Sequence, residues 1–213
     1  MVFVSIAFSY VFYCNVCQLI AGSDNGSLKL YDINHIPRKI TGLYGNSGCV
    51  TFDEFDQLTS VHVNATDELF LASGYSRNVA LYDINSGKRL QVFTDMHRGH
   101  INVVKFANHS PSIFATSSFD QDVKMWDLRQ KPIQPCFTAS SSKGNVMVCF
   151  SPDDQYILAS AVDNEVFYFV VWFVSAHCMQ RAIAEIGYMQ YALYLLLIAY
   201  ILFACMQSAG KIC

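Results

Sequence analysis

The stretch FATSSFDQDVKMWDLR, residues 114–129, decides the fold of this 213-residue chain. Its first five residues are small, branched or aromatic and favour a β-strand, and the polar run that follows favours a tight turn. After the turn, Val123 and Met125 alternate with polar residues until the run ends at Trp126 and Asp127. Alternation of this kind indicates a strand with one buried face. The stretch therefore predicts a β-hairpin that closes on a Trp-Asp pair.

The second strand of this pattern recurs along the chain. It is marked by an alanine at spacings of 51, 43 and 44 residues: Ala21, Ala72, Ala115 and Ala159. An aromatic-Asp pair also ends the first two segments, at 31–32 and 82–83. A period of about 40–45 residues with such an ending is typical of WD repeats. The chain thus resembles the WD-repeat family, in which each repeat forms one four-stranded blade of a β-propeller.

The resemblance implies an all-β fold, a partial WD-repeat β-propeller followed by an apolar C-terminal tail that one interpretation makes helical. We expect three segments: an atypical apolar N-terminal segment at 1–18, a propeller fragment at 19–166, and the tail at 167–213. At the family period the repeats amount to about three and a half blades. Known propellers usually close with about four to eight blades, so these repeats alone do not complete a typical seven-bladed ring.

The tail supports two interpretations. An uncharged run at 186–209 is long enough for a transmembrane helix, because about 20 apolar residues span a bilayer. Alternatively, the tail is sequence translated outside the frame of the propeller. We favour the second interpretation because the fourth repeat is expected to break off in mid-strand at Phe167, whereas domain boundaries usually fall in polar linkers. The N-terminal segment lacks the charged start of a secretory signal, and one interpretation makes it the first strand of the first blade.

Composition argues against several classes of function. The net charge is −3 and the longest basic clusters are Arg38-Lys39 and Lys88-Arg89, so direct nucleic-acid binding is not expected. The pair Cys14 and Cys17 has no second pair at zinc spacing, and two buried thiols explain it better than a metal site. The eight cysteines show no disulfide framework, which favours a reducing compartment. We expect no cofactor and no metal.

In the WD-repeat family, a buried polar network locks each blade. By resemblance its members here would be His100 of the Gly-His pair, Asp120 of the turn, the hydroxyl of Thr116 or Ser118, and the indole of Trp126. Such groups need partners because burial removes them from water. A His-Asp-Ser set is also found in hydrolases, but the sequence has no nucleophile motif. We therefore expect that the chain is not an enzyme. The nearby His97 is expected to be a solvated loop residue.

Residues 114–129 also resemble the DWD box, the WD-repeat variant found in substrate receptors of cullin-4 ubiquitin ligases. The box asks for small residues after an apolar start, an acidic turn residue, two apolar strand residues, a Trp-Asp pair and an Arg two positions later, and each position is filled. In the other blades Asn34 and Asn85 stand in the place of this Arg. The resemblance implies that the ligase adaptor, the large damaged-DNA-binding subunit, is bound by Asp120, Trp126, Asp127 and Arg129.

These features predict a non-enzymatic protein-interaction scaffold that joins the ligase adaptor to a substrate protein of unknown identity. The blades, residues 69–166 especially, are also similar to a plant member of the family, which implies a role in UV-B signalling and a nuclear or cytoplasmic location. Two alternatives stay open. One is a generic WD-repeat scaffold of another complex, since many WD repeats carry a surface arginine at this position. The other is a membrane-anchored fragment held by the apolar cluster 191–206.

Overall fold

The computed structural model describes residues 11–12, 18–32, 49–131, 133–162 and 166–170. Within these ranges the regular elements are all β-strands. They are β1 (Val11–Phe12), β2 (Gln18–Gly22), β3 (Leu28–Asp32), β4 (Cys49–Thr51), β5 (Leu58–Val63), β6 (Leu69–Gly74), β7 (Val79–Asp83), β8 (Lys88–Phe93), β9 (Ile101–Phe106), β10 (Ile113–Ser118), β11 (Asp122–Asp127), β12 (Pro135–Ser140), β13 (Asn145–Phe150), β14 (Tyr156–Ala161) and β15 (Val166–Val170).

The strands form four antiparallel sheets, and each sheet contains strands that follow one another in the chain. We call them blades 1 to 4: β1–β4, β5–β8, β9–β12 and β13–β15. Hairpin connections of this kind put neighbours in sequence beside one another in space. Three four-stranded sheets and one three-stranded sheet confirm the expected all-β partial propeller.

The core lies between the blades, because each sheet is apolar on both faces. The strands of one blade present alternate side chains to the blade before it and to the blade after it. Three buried clusters result, one at each boundary between consecutive blades. Ile20 and Leu30 of blade 1 meet Phe70 of blade 2 in the first cluster. Met125 of blade 3 meets Ile157 of blade 4 in the last.

The hydrogen-bonding register shifts the alignment of the repeats by one residue in blade 3. Phe114 pairs with Trp126, as Phe70 pairs with Tyr82 in blade 2. Two positions after these phenylalanines stand Thr116 and Ala72. The residues that share this position in the four blades are Ala21, Ala72, Thr116 and Ala159. Ala115 is therefore one position out of register, and among the described sheets only blade 3 has a hydroxyl at the shared position.

The sheets extend beyond the segment boundaries expected from the sequence. Strand β15 continues the fourth blade to Val170 and pairs in register with β14, so the repeat does not break off at Phe167. Strand β1 pairs with β2 and gives blade 1 its first strand, and β2 itself begins at Gln18. The part of the tail at 171–213 lies outside the described residues. Among the residues that are described, no helix is long and apolar enough to cross a membrane.

Candidate protein-interaction site

The hairpin of β10 and β11 is the most buried part of blade 3. All six residues of β10 are buried, from Ile113 to Ser118. The turn that follows is held by short-range bonds: Ser118 Oγ accepts from the Asp120 N–H at 3.1 Å, and Asp120 Oδ1 accepts from the Asp122 N–H at 3.0 Å. Gln121 takes the left-handed conformation, with φ of 77°. Side-chain acceptors of this kind let a polar sequence close a tight turn.

A buried polar network crosses this hairpin. His97 Nδ1 lies 3.0 and 3.1 Å from the two carboxylate oxygens of Asp120. His97 Nε2 lies 2.7 Å from Thr116 Oγ1, which also accepts the indole N–H of Trp126 at 2.9 Å. Both ring nitrogens of His97 therefore have a partner, and so do the Thr116 hydroxyl and the Trp126 indole N–H. The network therefore ties the loop before β9 to both strands of the hairpin.

The imidazole of the network belongs to His97, which corrects the assignment of that role to His100. His97 is 2% exposed and is not the solvated loop residue that was expected. The ring of His100 instead lies between those of Tyr75 and Phe119, at centroid distances of 5.3 and 4.6 Å. Its backbone carbonyl accepts a hydrogen bond from the Ser118 hydroxyl at 2.8 Å. Ser118 thus supports the turn, and Thr116 supplies the hydroxyl of the network.

Gly99 explains how the loop can pass so close to the turn. A Cβ at this position would lie 3.1 Å from the backbone nitrogen of Asp120, which is tighter than an ordinary contact. The Gly-His dipeptide in the sequence therefore marks a close approach of backbone and not the histidine of the network. His97 stands 29 residues before Trp126, three more than His100.

The carboxyl of Asp120 is held in its charged form. Burial alone would raise its pKa, but the hydrogen bond and charge of His97, with the backbone N–H groups of Arg98 and Asp122, outweigh burial and lower the pKa well below its usual range. The Arg98 N–H donates at 2.7 Å. A buried carboxylate with this many donors is a structural anchor. Thr116 is fully buried, so its hydroxyl cannot meet a substrate and the set does not form a hydrolase site.

Asp122 extends the network towards the outer strand. Its side chain is 10% exposed and accepts from the Ser140 hydroxyl of β12 at 2.6 Å. Arg98, on the loop before β9, reaches the same carboxylate at 3.4 Å. The two acidic residues of the turn therefore bind opposite parts of the blade, and neither is available to a partner as a free charge.

Arg129 lies at the other end of β11 and faces solvent. Its side chain is 63% exposed, whereas that of Asp127 is 13% exposed. The guanidinium donates to Asp127 through Nη2 at 2.7 Å and through Nε at 2.9 and 3.0 Å, and the Arg129 N–H donates to the same carboxylate at 2.9 Å. This pairing raises the pKa of the Arg129 guanidinium. Burial alone would raise the pKa of the Asp127 carboxyl, but the hydrogen bonds and charge of Arg129 outweigh burial and lower it. The arginine is therefore a positioned and exposed cation.

The structure separates the four residues that were expected to bind the adaptor. Asp120 precedes β11 and Arg129 follows it, and a strand of six residues spans about 20 Å. The Asp120 side chain is 4% exposed and Trp126 is 3% exposed. That all four bind the adaptor stays a prediction; in the described structure Arg129 is exposed at the β11 end of the blade, Asp127 orients it, and the other two lie in the interior.

One further buried carboxylate was missed by the sequence analysis. Asp154 is 4% exposed and accepts hydrogen bonds from the Asn108 N–H at 2.8 Å, the Asn108 amide at 2.9 Å and the His109 N–H at 2.7 Å. It sits in the turn between β13 and β14 and fastens blade 4 to blade 3. The turn could be read from Ser151 to Asp154, but its partners lie about 45 residues away and leave no local signal.

The described residues contain no group of three or more His, Cys, Asp and Glu side chains that could hold a metal ion. Cys14 and Cys17 lie outside the described residues.

Comparison with known proteins agrees with this geometry. Residues 87–127, which span the network and β11, match the family model described as WD domain, G-beta repeat. The chain is 66% identical over 150 residues to the Arabidopsis thaliana protein DWD HYPERSENSITIVE TO UV-B 1, a match covering 70% of this chain and 19% of the relative.

Two more distant relatives belong to other assemblies by name. The chain is 25% identical over 151 residues to the ribosome biogenesis protein WDR12 homolog of Aedes aegypti, covering 70% of this chain and 33% of that protein. It is 34% identical over 84 residues to the target of rapamycin complex subunit wat1 of Schizosaccharomyces pombe, covering 38% of this chain and 26% of that protein. The chain therefore spans a third or less of the length of these relatives. Its repeats, its sheets and these matches together show that the chain belongs to the WD-repeat family and forms part of a β-propeller.

Proposed function

We propose that this chain is a non-enzymatic scaffold whose third blade binds the adaptor of a cullin-4 ubiquitin ligase, the large damaged-DNA-binding subunit, through Arg129. The supporting observation is the exposed guanidinium that Asp127 holds at the end of β11. No described residue accepts a hydrogen bond from its Nη1, so this group can meet a carboxylate of a partner. A planar guanidinium on a rigid strand end suits paired hydrogen bonds of this kind.

The buried residues of the box have a supporting role in this proposal. Trp126 and Asp120 fix the hairpin from inside, and the hairpin fixes the end of β11 from which Arg129 projects. Asp127 sets the direction of the guanidinium. In this proposal the buried residues of the DWD pattern hold the end of β11 in place, and Arg129 is the residue that contacts the adaptor.

The likeness to DWD HYPERSENSITIVE TO UV-B 1 supports a role in the response to UV-B. We extend that role to this chain as part of the proposal, with a nuclear or cytoplasmic location. The scaffold would hold a second protein, the substrate of the ligase, on other blades. The relatives in ribosome biogenesis and in the target of rapamycin complex support the alternative, a WD-repeat scaffold in a different complex.

The test is co-precipitation of the full chain with the purified adaptor. Arg129→Ala is expected to weaken binding severely, because truncating one partner of an interfacial charge pair costs about 2–5 kcal/mol. Arg129→Lys keeps the charge and is expected to recover only part of the binding, since an ammonium cannot make the paired contact. The melting midpoint of both variants should stay near that of the unmodified chain, because exposed ion pairs contribute little to folding.

Arg77→Ala is the matched control. Arg77 is 58% exposed and pairs with Asp95 at 3.0 Å, so it resembles Arg129 in exposure and in having an aspartate partner. It lies between β6 and β7 of blade 2, and its loss should leave adaptor binding unchanged. Normal binding by Arg129→Ala, or no binding by the unmodified chain, would remove the ligase role and leave the general scaffold.

A further inference from the structure

A cavity lies between the outer strand of blade 2 and the turn that joins β11 to β12 in blade 3. Its volume is about 320 Å³, and we call it the side cavity. Both blades have a neighbouring blade on each side. Sites that bind small groups have volumes of about 300–1,000 Å³, so the side cavity has room for a large apolar side chain. The residues that line it are Gln91 and Phe93 of β8, and Leu128, Gln130, Lys131 and Ile133 of the turn.

The side cavity has an apolar floor and a polar mouth. Phe93 is 6% exposed, and Leu128 and Ile133 are half-buried against the same cluster between blades 2 and 3. None of the described lining residues is acidic. An apolar floor with a few polar groups at the mouth is typical of a binding site. The exposed residues at the mouth are Gln91, Gln130 and Lys131.

Arg129 lies directly beside the side cavity, because Leu128 and Gln130 on either side of it are lining residues. Ile133, the most distant lining residue of the turn, is four residues away and therefore at most about 15 Å from Arg129. A specific interface buries about 800 Å² on each partner, which is a disc of about 16 Å radius. A partner that is centred on Arg129 therefore also covers the side cavity.

We propose, building on the function proposed above, that the adaptor inserts an apolar side chain into the side cavity. Carboxylates of the same adaptor segment pair with Arg129 and Lys131. An exposed charge pair alone contributes little, whereas apolar anchors in desolvated pockets carry most of the affinity of an interface. In the described part of the chain no carboxylate forms an ion pair with Lys131. Two cations beside a cavity without acidic lining residues favour an acidic segment as the occupant.

The first test fills the mouth of the side cavity and measures the kinetics with which the purified adaptor binds the full chain. Gln91→Trp is expected to weaken binding about tenfold to a hundredfold, because the burial of one large apolar side chain is lost. Most of the change should be in the dissociation rate. Leu90→Trp is the matched control: Leu90 is the neighbour of Gln91 and is 54% exposed, but it does not line the side cavity. Its binding should be unchanged.

The second test reverses the charge at the mouth. Lys131→Glu is expected to slow association about tenfold at low salt, and the difference should shrink at high salt because exposed charges are screened. Lys143→Glu is the control, since Lys143 is also exposed. It precedes Gly144, which contacts Phe119 in the turn at the opposite end of blade 3 from Arg129. Its association rate should equal that of the unmodified chain.

The outcomes separate this inference from the proposed function. Loss of binding by Arg129→Ala with normal binding by Gln91→Trp would overturn the insertion and leave the proposed function in place. Equal losses for Gln91→Trp and Leu90→Trp would also overturn the insertion. Normal association of Lys131→Glu at low salt would overturn the acidic segment, and no binding by the unmodified chain would overturn the proposed function and this inference together. If Gln91→Trp lowers the melting midpoint, Gln91→Phe replaces it.

Discussion

Blades 2 and 3 have the same strand register but fill their interiors differently. Phe70, Ala72 and Tyr82 of blade 2 stand where Phe114, Thr116 and Trp126 stand in blade 3. In blade 2 the rings of Phe70 and Tyr82 stack at 4.7 Å with an interplanar angle of 4°. The corresponding rings of blade 3 lie 6.4 Å apart, and its interior is held by polar bonds.

The difference follows from the residue two positions after each phenylalanine. This residue is Ala72, with only a methyl group, in blade 2 and Thr116, with a hydroxyl, in blade 3. Ala72 gives Tyr82 no acceptor inside the sheet, and the Tyr82 hydroxyl donates outward to the Asp53 carbonyl at 2.9 Å. Thr116 gives Trp126 an acceptor inside the sheet, and His97 and Asp120 complete the chain of bonds. A blade therefore does not need the polar network to pair its strands. What the network adds is a fixed loop and a fixed turn at one end of the blade.

His97→Ala is expected to have the largest effect on stability. It leaves the charged Asp120 side chain buried without the imidazole that contacts both of its oxygens, and an unsatisfied buried charged group costs about 3 kcal/mol or more. The measurement is the urea midpoint of the full chain carrying Trp172→Phe, so that tryptophan fluorescence reports on Trp126 alone.

His100→Ala is the comparison for that variant. The imidazole of His100 only contacts neighbouring rings at the surface, so its loss is expected to cost under about 1 kcal/mol. Equal losses for the two variants would contradict the assignment of the network to His97.

Thr116→Ala converts the interior of blade 3 towards that of blade 2 and should have the next largest effect. The indole N–H of Trp126 and Nε2 of His97 both lose their partner, and an unsatisfied buried polar group costs about 1–3 kcal/mol. Thr116→Ala combined with Trp126→Phe removes the indole donor as well. The loss of the double variant in urea should be smaller than the sum of the losses of Thr116→Ala and Trp126→Phe alone, and additive losses would show that the indole N–H is not held by Thr116.

Local patterns predicted the hairpins and the number of sheets, because alternation and turn residues act over a few positions. They could not select between His97 and His100, since the choice depends on where a loop crosses a turn about 20 residues later. The register of Thr116 was also missed, because the Ala115 beside it imitates the alanine of the other repeats. The burial of Trp126 could not be predicted from local patterns, because residues of the neighbouring blade 2 cover it. The separation of Asp120 from Arg129 could have been foreseen, since the length of β11 alone requires it.

The smallest expected effect is on the pH dependence of stability. It arises at a position where blade 2 has His62 and blade 3 has Lys105. His62 Nδ1 accepts the Phe106 N–H at 3.0 Å. Burial first, and the charge of Lys105 second, lower the pKa of His62 well below its usual value. In the folded chain it therefore stays neutral at a pH where the unfolded chain has already taken up a proton.

Stability should consequently fall as the pH decreases below about 6.5, with a slope of up to about 1.4 kcal/mol per pH unit until His62 protonates in the folded state as well. His62→Asn keeps an acceptor for the Phe106 N–H and removes the titration. The measurement is the urea midpoint of both chains between pH 7.5 and pH 5.5. The difference between them should change in favour of His62→Asn as the pH falls, because only the unmodified chain must keep a half-buried imidazole neutral. Parallel pH profiles would show that the pKa of His62 is not lowered by its position between blades 2 and 3.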